Sequence, residues 1–284
     1  MPVDYKGGEH SKPVIRSFVT PRVRLLLFSH HAILFLGTGN SRWVAQQLGK
    51  ALQETVYRIT EAIPHPVYTL QPGERLGFVF PVYSWGPPSV VLDWLARLKC
   101  SKTPSYLYFV CTCGDDVGKT ARIFSKAAER RGWQCQAGFS VTMPNTYVCL
   151  PGFDIDSSAV EKQKIQAAVL RMRQVSEQIT GKAAQFDCHE GSIPFIKSYL
   201  LRPLFNRFLM SASRFQVTDA CVSCGKCERV CPMHNIQMQA GKPEWGTQCS
   251  MCLACYHHCP KHAVAYGKQT AKKGQYIFKT SQPA

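Results

Sequence analysis

The sequence predicts an α/β protein, a doubly wound parallel sheet followed by a small α+β module organised around cysteines. Two observations carry this expectation. From His31 onward short apolar runs alternate with helical patterns, as a parallel sheet covered on both faces requires. Later in the chain a cysteine run appears twice at a fixed offset. The 284 residues are enough for one large domain or two ordinary ones, and 45% hydrophobic against 18% charged residues excludes a disordered chain.

The expected strands are Ala32–Leu36, a short one near Val56–Ile59, Gly77–Tyr83, Ser105–Thr112 and Gln136–Val141. Helical patterns fall at Arg42–Leu52, Ser89–Leu98, Gly118–Arg131 and Ser157–Thr180. In the last of these Ile165, Ala168, Met172, Val175 and Ile179 recur at three- and four-residue steps, the stripe of a helix facing a core.

Three loops follow strand ends, where open α/β sheets bind ligands. Leu36-Gly37-Thr38-Gly39-Asn40-Ser41 leads from the first strand into a helix, and small residues there expose backbone N–H groups beside the positive end of the helix dipole. That is a phosphate seat, although a simple turn capped by Ser41 would read the same. It lacks the lysine of a P-loop and the third glycine of a dinucleotide fingerprint. Pro81-Val82-Tyr83-Ser84-Trp85-Gly86 supplies an aromatic pair beside a glycine, suited to stacking an isoalloxazine ring. Cys113-Gly114-Asp115-Asp116 closes the next strand, where carboxylates would hold a nearby flavin at low potential by like-charge repulsion. Cys111 and Cys113 are expected to be small buried residues and not a redox pair, as are Cys100, Cys135, Cys149 and Cys188.

The sharpest signal is Cys221-x₂-Cys224-x₂-Cys227-x₃-Cys231-Pro232, repeated 28 residues on as Cys249-x₂-Cys252-x₂-Cys255-x₃-Cys259-Pro260. Ile236 and Val264 match at the same offset, so the run is an internal duplication. In this pattern three sulfurs hold one [4Fe–4S] cube and the fourth, before proline, holds the other. Cys221, Cys224, Cys227 and Cys259 are therefore expected around one cluster, and Cys249, Cys252, Cys255 and Cys231 around a second. Structural zinc uses four ligands in separated pairs and has no use for this sharing. With the set complete, His234, His257, His258 and His262 are not needed as ligands. The run resembles the bacterial two-cluster ferredoxins from about Thr218 to Gly267.

The resemblance extends upstream. The Thr38-Gly39-Asn40-Ser41 loop, the Pro-x-Tyr-x-Trp-Gly loop, the Thr-Cys-Gly-Asp loop at Thr112–Asp115 and the segment Met143-Pro144-Asn145-Thr146-Tyr147 resemble the fused flavodoxin–ferredoxin family, over about Ala32 to Tyr266. It implies a flavodoxin-like domain at 31–185, a connecting segment at 186–214 and a ferredoxin-like domain with two [4Fe–4S] clusters at 215–284, after an extension at 1–30. It implies FMN, with Thr38, Gly39, Asn40 and Ser41 at the phosphate and with Pro81, Tyr83, Trp85, Gly86, Cys113, Gly114 and Asp115 at the ring. Leu36 stands where that family usually has serine, so backbone donors must replace one hydroxyl.

Fourteen cysteines without a convincing export signal read as thiols or ligands in a reducing cytoplasm. The apolar stretch Leu25–Leu36 is too short to span a bilayer and is broken by His30 and His31. The formal charge of +16 falls to about +10 once two clusters and a flavin phosphate are counted. It favours an acidic redox partner of ferredoxin or flavodoxin type, although a basic surface that only keeps the protein in solution would read the same. Nucleic acid is not expected, because the basic residues are scattered and no binding motif accompanies them. Ile193–Met210, rich in Phe and Leu, is expected to pack between domains or across a homodimer interface; Pro203 argues against a continuous membrane-surface helix. Electron transfer between the clusters, FMN and a protein partner is the expected function, with an FMN-dependent reductase of a quinone or nitro compound as the alternative.

Overall fold

The computed structural model describes residues 31–34, 37–59, 67, 68, 70, 73–209 and 211–278. The expectations for residues 1–30 and for Leu36 lie outside the described residues.

The main sheet has six parallel strands: β1 (His31–Leu34), β2 (Thr55–Arg58), β4 (Arg75–Pro81), β6 (Tyr106–Cys113), β7 (Cys135–Thr142) and β8 (Phe186–Asp187). A separate parallel pair, β3 (Val67–Tyr68) and β5 (Lys99–Cys100), lies apart from it. The order is β2-β1-β4-β6-β7-β8. Its first five members follow the 2-1-3-4-5 order of flavodoxin-type sheets, which reverses direction between β1 and β4 and opens a crevice at their carboxyl ends. Helices α1 (Asn40–Leu52), α2 (Ser89–Arg97), α3 (Thr120–Glu129) and α4 (Ser158–Thr180) agree with expectation to within two residues.

The central strand explains the two layers. All eight residues of β6 are buried. Side chains alternate across a strand, so Tyr106, Tyr108 and Val110 join α1 and α4 on one face while Leu107, Phe109 and Cys111 join α2 and α3 on the other. The expected stripe of α4 is buried throughout. At the opposite end of the sheet Glu54 is ion-paired with Arg75 and accepts a 2.9 Å hydrogen bond from the Tyr108 hydroxyl. Gly77 of β4 is required there, because a Cβ would come within 2.3 Å of the Tyr108 ring.

The duplicated cysteine run is framed by two antiparallel strand pairs, one joining the ends of the module and one a hairpin between the repeats. The antiparallel pair β9 (Phe215–Val217) and β12 (Val264–Tyr266) accompanies β10 (Ile236–Gln239) and β11 (Lys242–Trp245), with short helices α7 (Lys226–Val230) and α8 (Ala254–His257). Ile236 and Val264, the repeat-related pair, are both buried in this core.

The structure departs from these expectations at four points. The sheet takes up Phe186 and Asp187, so the first domain runs past residue 185. Residues 276–278 return to that domain: Phe278 packs on Trp43 at 5.5 Å, and its N–H donates to the Thr38 carbonyl at 3.2 Å. The connector does not break at Pro203. α5 (Pro194–Ile196), a π-helical turn Lys197–Leu201 and α6 (Arg202–Phe208) run on consecutively, the Arg202 N–H reaching back to the Lys197 carbonyl, and the widened turn lies just before the residue that lacks an N–H. Nor does its apolar face pack between domains: Phe195, Leu200, Leu204 and Phe208 are 50–61% exposed, while Ser198 is buried and Lys197 and Arg202 turn inward.

Phe278→Ala is expected to cost about 3 kcal/mol, the usual range for a buried phenylalanine, and to lower the urea midpoint of the chain accordingly. An unchanged midpoint would show that the tail does not anchor the first domain.

Candidate cofactor site

The crevice at the β1/β4 reversal holds a cavity of about 350 Å³, of the size that small-molecule sites occupy. The first wall is the loop entering α1. Gly39 caps that helix with φ 115°, a left-handed conformation that favours glycine, and no side chain caps the helix. Ser41 does not cap the turn, the alternative to a phosphate seat: its hydroxyl pairs with Thr112 Oγ1 at 2.8 Å. The Asn40 side chain is likewise engaged, donating to the Pro144 carbonyl at 2.9 Å. Asn40 and Ser41 thus tie three loops together, and with Gly37 and Thr38 they line the cavity at an uncapped helix N-terminus.

The second wall is Pro81, Val82, Tyr83, Ser84 and Trp85. Ser84 (φ 49°) and Trp85 (φ 57°) are both left-handed, between reciprocal bonds of Tyr83 N–H to Gly86 O at 2.9 Å and Gly86 N–H to Tyr83 O at 3.2 Å. Two non-glycine residues in a turn of this kind store of order 1 kcal/mol each, strain that concentrates at ligand sites. The connector holds the turn in place. Ser198 donates to the Trp85 carbonyl at 2.8 Å and Arg202 to the Pro87 carbonyl at 2.7 Å, with the Arg202 side chain covering Gly86.

The third wall is Thr112, Cys113, Gly114 and Asp116, followed by Pro144, Asn145, Thr146 and Tyr147. Asp115 is exposed and Asp116 takes its place on the cavity, ion-paired with Lys197. Gly39 and Gly86 shape their loops without lining the cavity. Burial pushes the Cys113 thiol up to about 12, and Cys111 is buried beside Cys188, so these sulfurs are neutral packing groups at ordinary pH.

A fourth wall was not legible in the sequence. Met251, Cys252 and Leu253 of the second cysteine repeat face the same cavity, and Phe205 closes its rim. Tyr83 stands at this junction. A Cβ on Gly37 would meet the Tyr83 hydroxyl at 3.5 Å and the Cys252 carbonyl at 3.6 Å. Burial, with the Cys252 and Cys249 sulfurs adding to it, keeps the Tyr83 phenol protonated well above its usual range. His257 braces the contact: Thr146 O lies 2.8 Å from its Nε2, and its Nδ1 accepts the Tyr276 N–H at 3.1 Å. Burial lowers its pKa to about 4, so it is neutral with the proton on Nε2.

The eight cysteines of the duplicated run fall into two groups. Cys221, Cys224, Cys227 and Cys259 surround one hollow, with Lys226 and Lys261 beside them. Cys231, Cys249, Cys252 and Cys255 surround another, with Trp245 and Ser250. Each group takes three sulfurs from one repeat and one from the other. Backbone N–H groups point at the sulfurs: Asn235 to Cys231 at 3.3 Å, Met251 to Cys249 at 3.3 Å and Ala263 to Cys259 at 3.2 Å. None of the eight is in a disulfide. The donor set suits iron–sulfur clusters, for which thiolate ligands and N–H···S bonds are the ordinary environment.

The large cavity also suits a flavin mononucleotide. It joins an uncapped helix N-terminus to an aromatic-lined slot, and two buried polar atoms on its wall, Ser84 Oγ and Asp116 Oδ1, have no protein partner among the described residues.

Residues 220–264 match the 4Fe–4S dicluster domain family. No curated protein matches the chain. Among solved structures, the chain is similar to a flavodoxin of Streptococcus pneumonia TIGR4, at 14% identity over 54% of this chain and 99% of that one, with TM-score 0.35. It is similar to an FMN-dependent NADH-azoreductase of Bacillus anthracis at 10% identity over 53% and 99%, with TM-score 0.35. It is also similar to an NAD(P)H:quinone oxidoreductase of Methanothermobacter marburgensis at 13% identity over 54% and 100%, with TM-score 0.31. No described helix is long and apolar enough to cross a membrane. The strand order and the matched cysteine domain together make this chain a flavodoxin-type α/β domain fused to a 4Fe–4S dicluster domain.

Proposed function

We propose that the chain is an electron-transfer protein that holds FMN in the large cavity and two [4Fe–4S] clusters in the two cysteine sites. One observation carries this reading: the loop Met251–Leu253 supplies a cluster-site cysteine, Cys252, and is also a wall of the flavin cavity. FMN exchanges electrons in pairs or singly, whereas a [4Fe–4S] cluster exchanges them one at a time. The chain's part is placement. The uncapped end of α1, with Thr38 and the backbone of its loop, seats the phosphate. Tyr83 and Trp85 stack the ring, and Tyr147, Phe153 and Phe205 line the mouth of the slot.

The site formed by Cys221, Cys224, Cys227 and Cys259 lies at the surface, with Cys224 and Val222 exposed and Lys226 and Lys261 on its rim. An acidic one-electron protein fits that rim, so electrons would cross between partner and cavity through the Cys252 site. Anaerobic purification followed by iron, sulfide and flavin quantification tests the reading. About eight irons and one FMN per chain are expected; four irons, or a chain that binds no flavin under saturating FMN, would overturn it.

The alternative, reduction of a quinone or nitro compound at the flavin, is favoured by the open apolar mouth at Leu150, Phe153 and Phe205. Steady turnover of such a compound would support it.

The Asp116–Lys197 pair sets a further expectation. Negative charge beside the ring disfavours electron uptake, and Lys197 offsets that charge. Lys197→Met should therefore lower the flavin potential and Asp116→Asn should raise it, both read by spectroelectrochemistry. Equal potentials in the two variants would show that the pair lies outside the flavin's field.

A further inference from the structure

We infer that Trp245 and Ser250 are hydrogen-bond donors to the cluster held by Cys231, Cys249, Cys252 and Cys255, and that they set its potential above that of the other cluster. The inference rests on the ligand groups proposed above and adds an asymmetry between them.

Trp245 Nε1 and Ser250 Oγ are buried and have no hydrogen-bond partner among the described residues. Both residues line the hollow that those four cysteines surround. A buried donor left without an acceptor costs roughly 1–3 kcal/mol, so two beside one hollow call for an acceptor in it. Sulfur is what the hollow offers. The indole is held in its orientation by a stacked contact with Phe215, 5.5 Å between centroids and 10° between planes.

The internal duplication supplies the control. Counted back by the 28-residue offset, Ser250 corresponds to Val222 and Trp245 to Val217. Neither valine side chain can donate a hydrogen bond, and Val222 lines the hollow of the Cys221 group at 57% exposure. Two sites built from one repeat thus differ at both donor positions. A donor aimed at a cluster sulfur stabilises the extra negative charge of the reduced state and raises the potential. Trp245 and Ser250 would therefore hold the transferred electron at the site that borders the flavin cavity, not at the exposed one.

The test is an EPR-monitored redox titration of the full-length protein, purified anaerobically with both clusters and FMN. Wild type should show two resolved cluster potentials. Ser250→Ala and Trp245→Phe should each shift the higher one downward while leaving the lower one in place, and Val222→Ser should shift the lower one upward. Eight irons per chain with both potentials unmoved in Ser250→Ala and Trp245→Phe would overturn the inference while leaving the cluster reading intact. Four irons in wild type would overturn the cluster reading itself. If Trp245→Phe loses iron through misfolding, the near-isosteric Ser250→Ala decides alone.

Discussion

Cys252→Ala is expected to remove about half of the bound iron and to cut reduction of the flavin by a protein donor, while leaving FMN bound. The reason is position. Cys252 belongs to the inner cysteine group and its loop forms a wall of the flavin cavity, so its loss takes away the step nearest the ring. Cys259→Ala should also remove about half of the iron, yet from the other site, although Cys259 belongs to the same repeat as Cys252. In that variant the inner cluster remains and strong chemical reductants should still reach the flavin through it. Iron content, EPR of the surviving cluster and the rate of flavin bleaching would separate the two variants. Identical spectra from both would overturn the shared three-plus-one arrangement.

Arg75→Met is expected to destabilise the first domain by about 3–5 kcal/mol, the loss found when one partner of a buried ion pair is removed. Glu54 is fully shielded from solvent in its side chain and Arg75 is 12% exposed, so the carboxylate left behind would keep only the Tyr108 hydroxyl as a partner. Replacing both partners, Glu54→Leu with Arg75→Met, should recover much of the loss, because no uncompensated charge then stays buried. Urea denaturation followed by circular dichroism would measure both effects. A single variant as stable as wild type would show that water reaches the pair.

The alternating apolar runs and the duplicated cysteines made the fold class, the four long helices and both ligand groups legible as expectations, because strand periodicity, helix periodicity and cluster ligation leave local marks. The Gly37–Ser41 and Pro81–Gly86 loops were legible for the same reason, since backbone conformation and aromatic content are written in adjacent residues. Other features depend on contacts between segments far apart in the chain. Asp116 rather than Asp115 faces the cavity because Lys197, 81 residues away, draws it in. The connector continues through Pro203 because a widened turn precedes the proline, and its polar residues turn inward because the Trp85 and Pro87 carbonyls need donors. The return of Tyr276 and Phe278 beneath α1 has no local signature either.

The sequence by itself determined which chemistry the chain can hold: thiolates at cluster spacing, and a phosphate-type turn beside an aromatic loop at strand ends. Only the tertiary structure decided which sites are neighbours. Ligand type and spacing are properties of short segments, whereas the placing of Cys252 against the flavin cavity follows from how the two domains pack through the Tyr83 junction, the Thr146–His257 bond and the returning C-terminal segment.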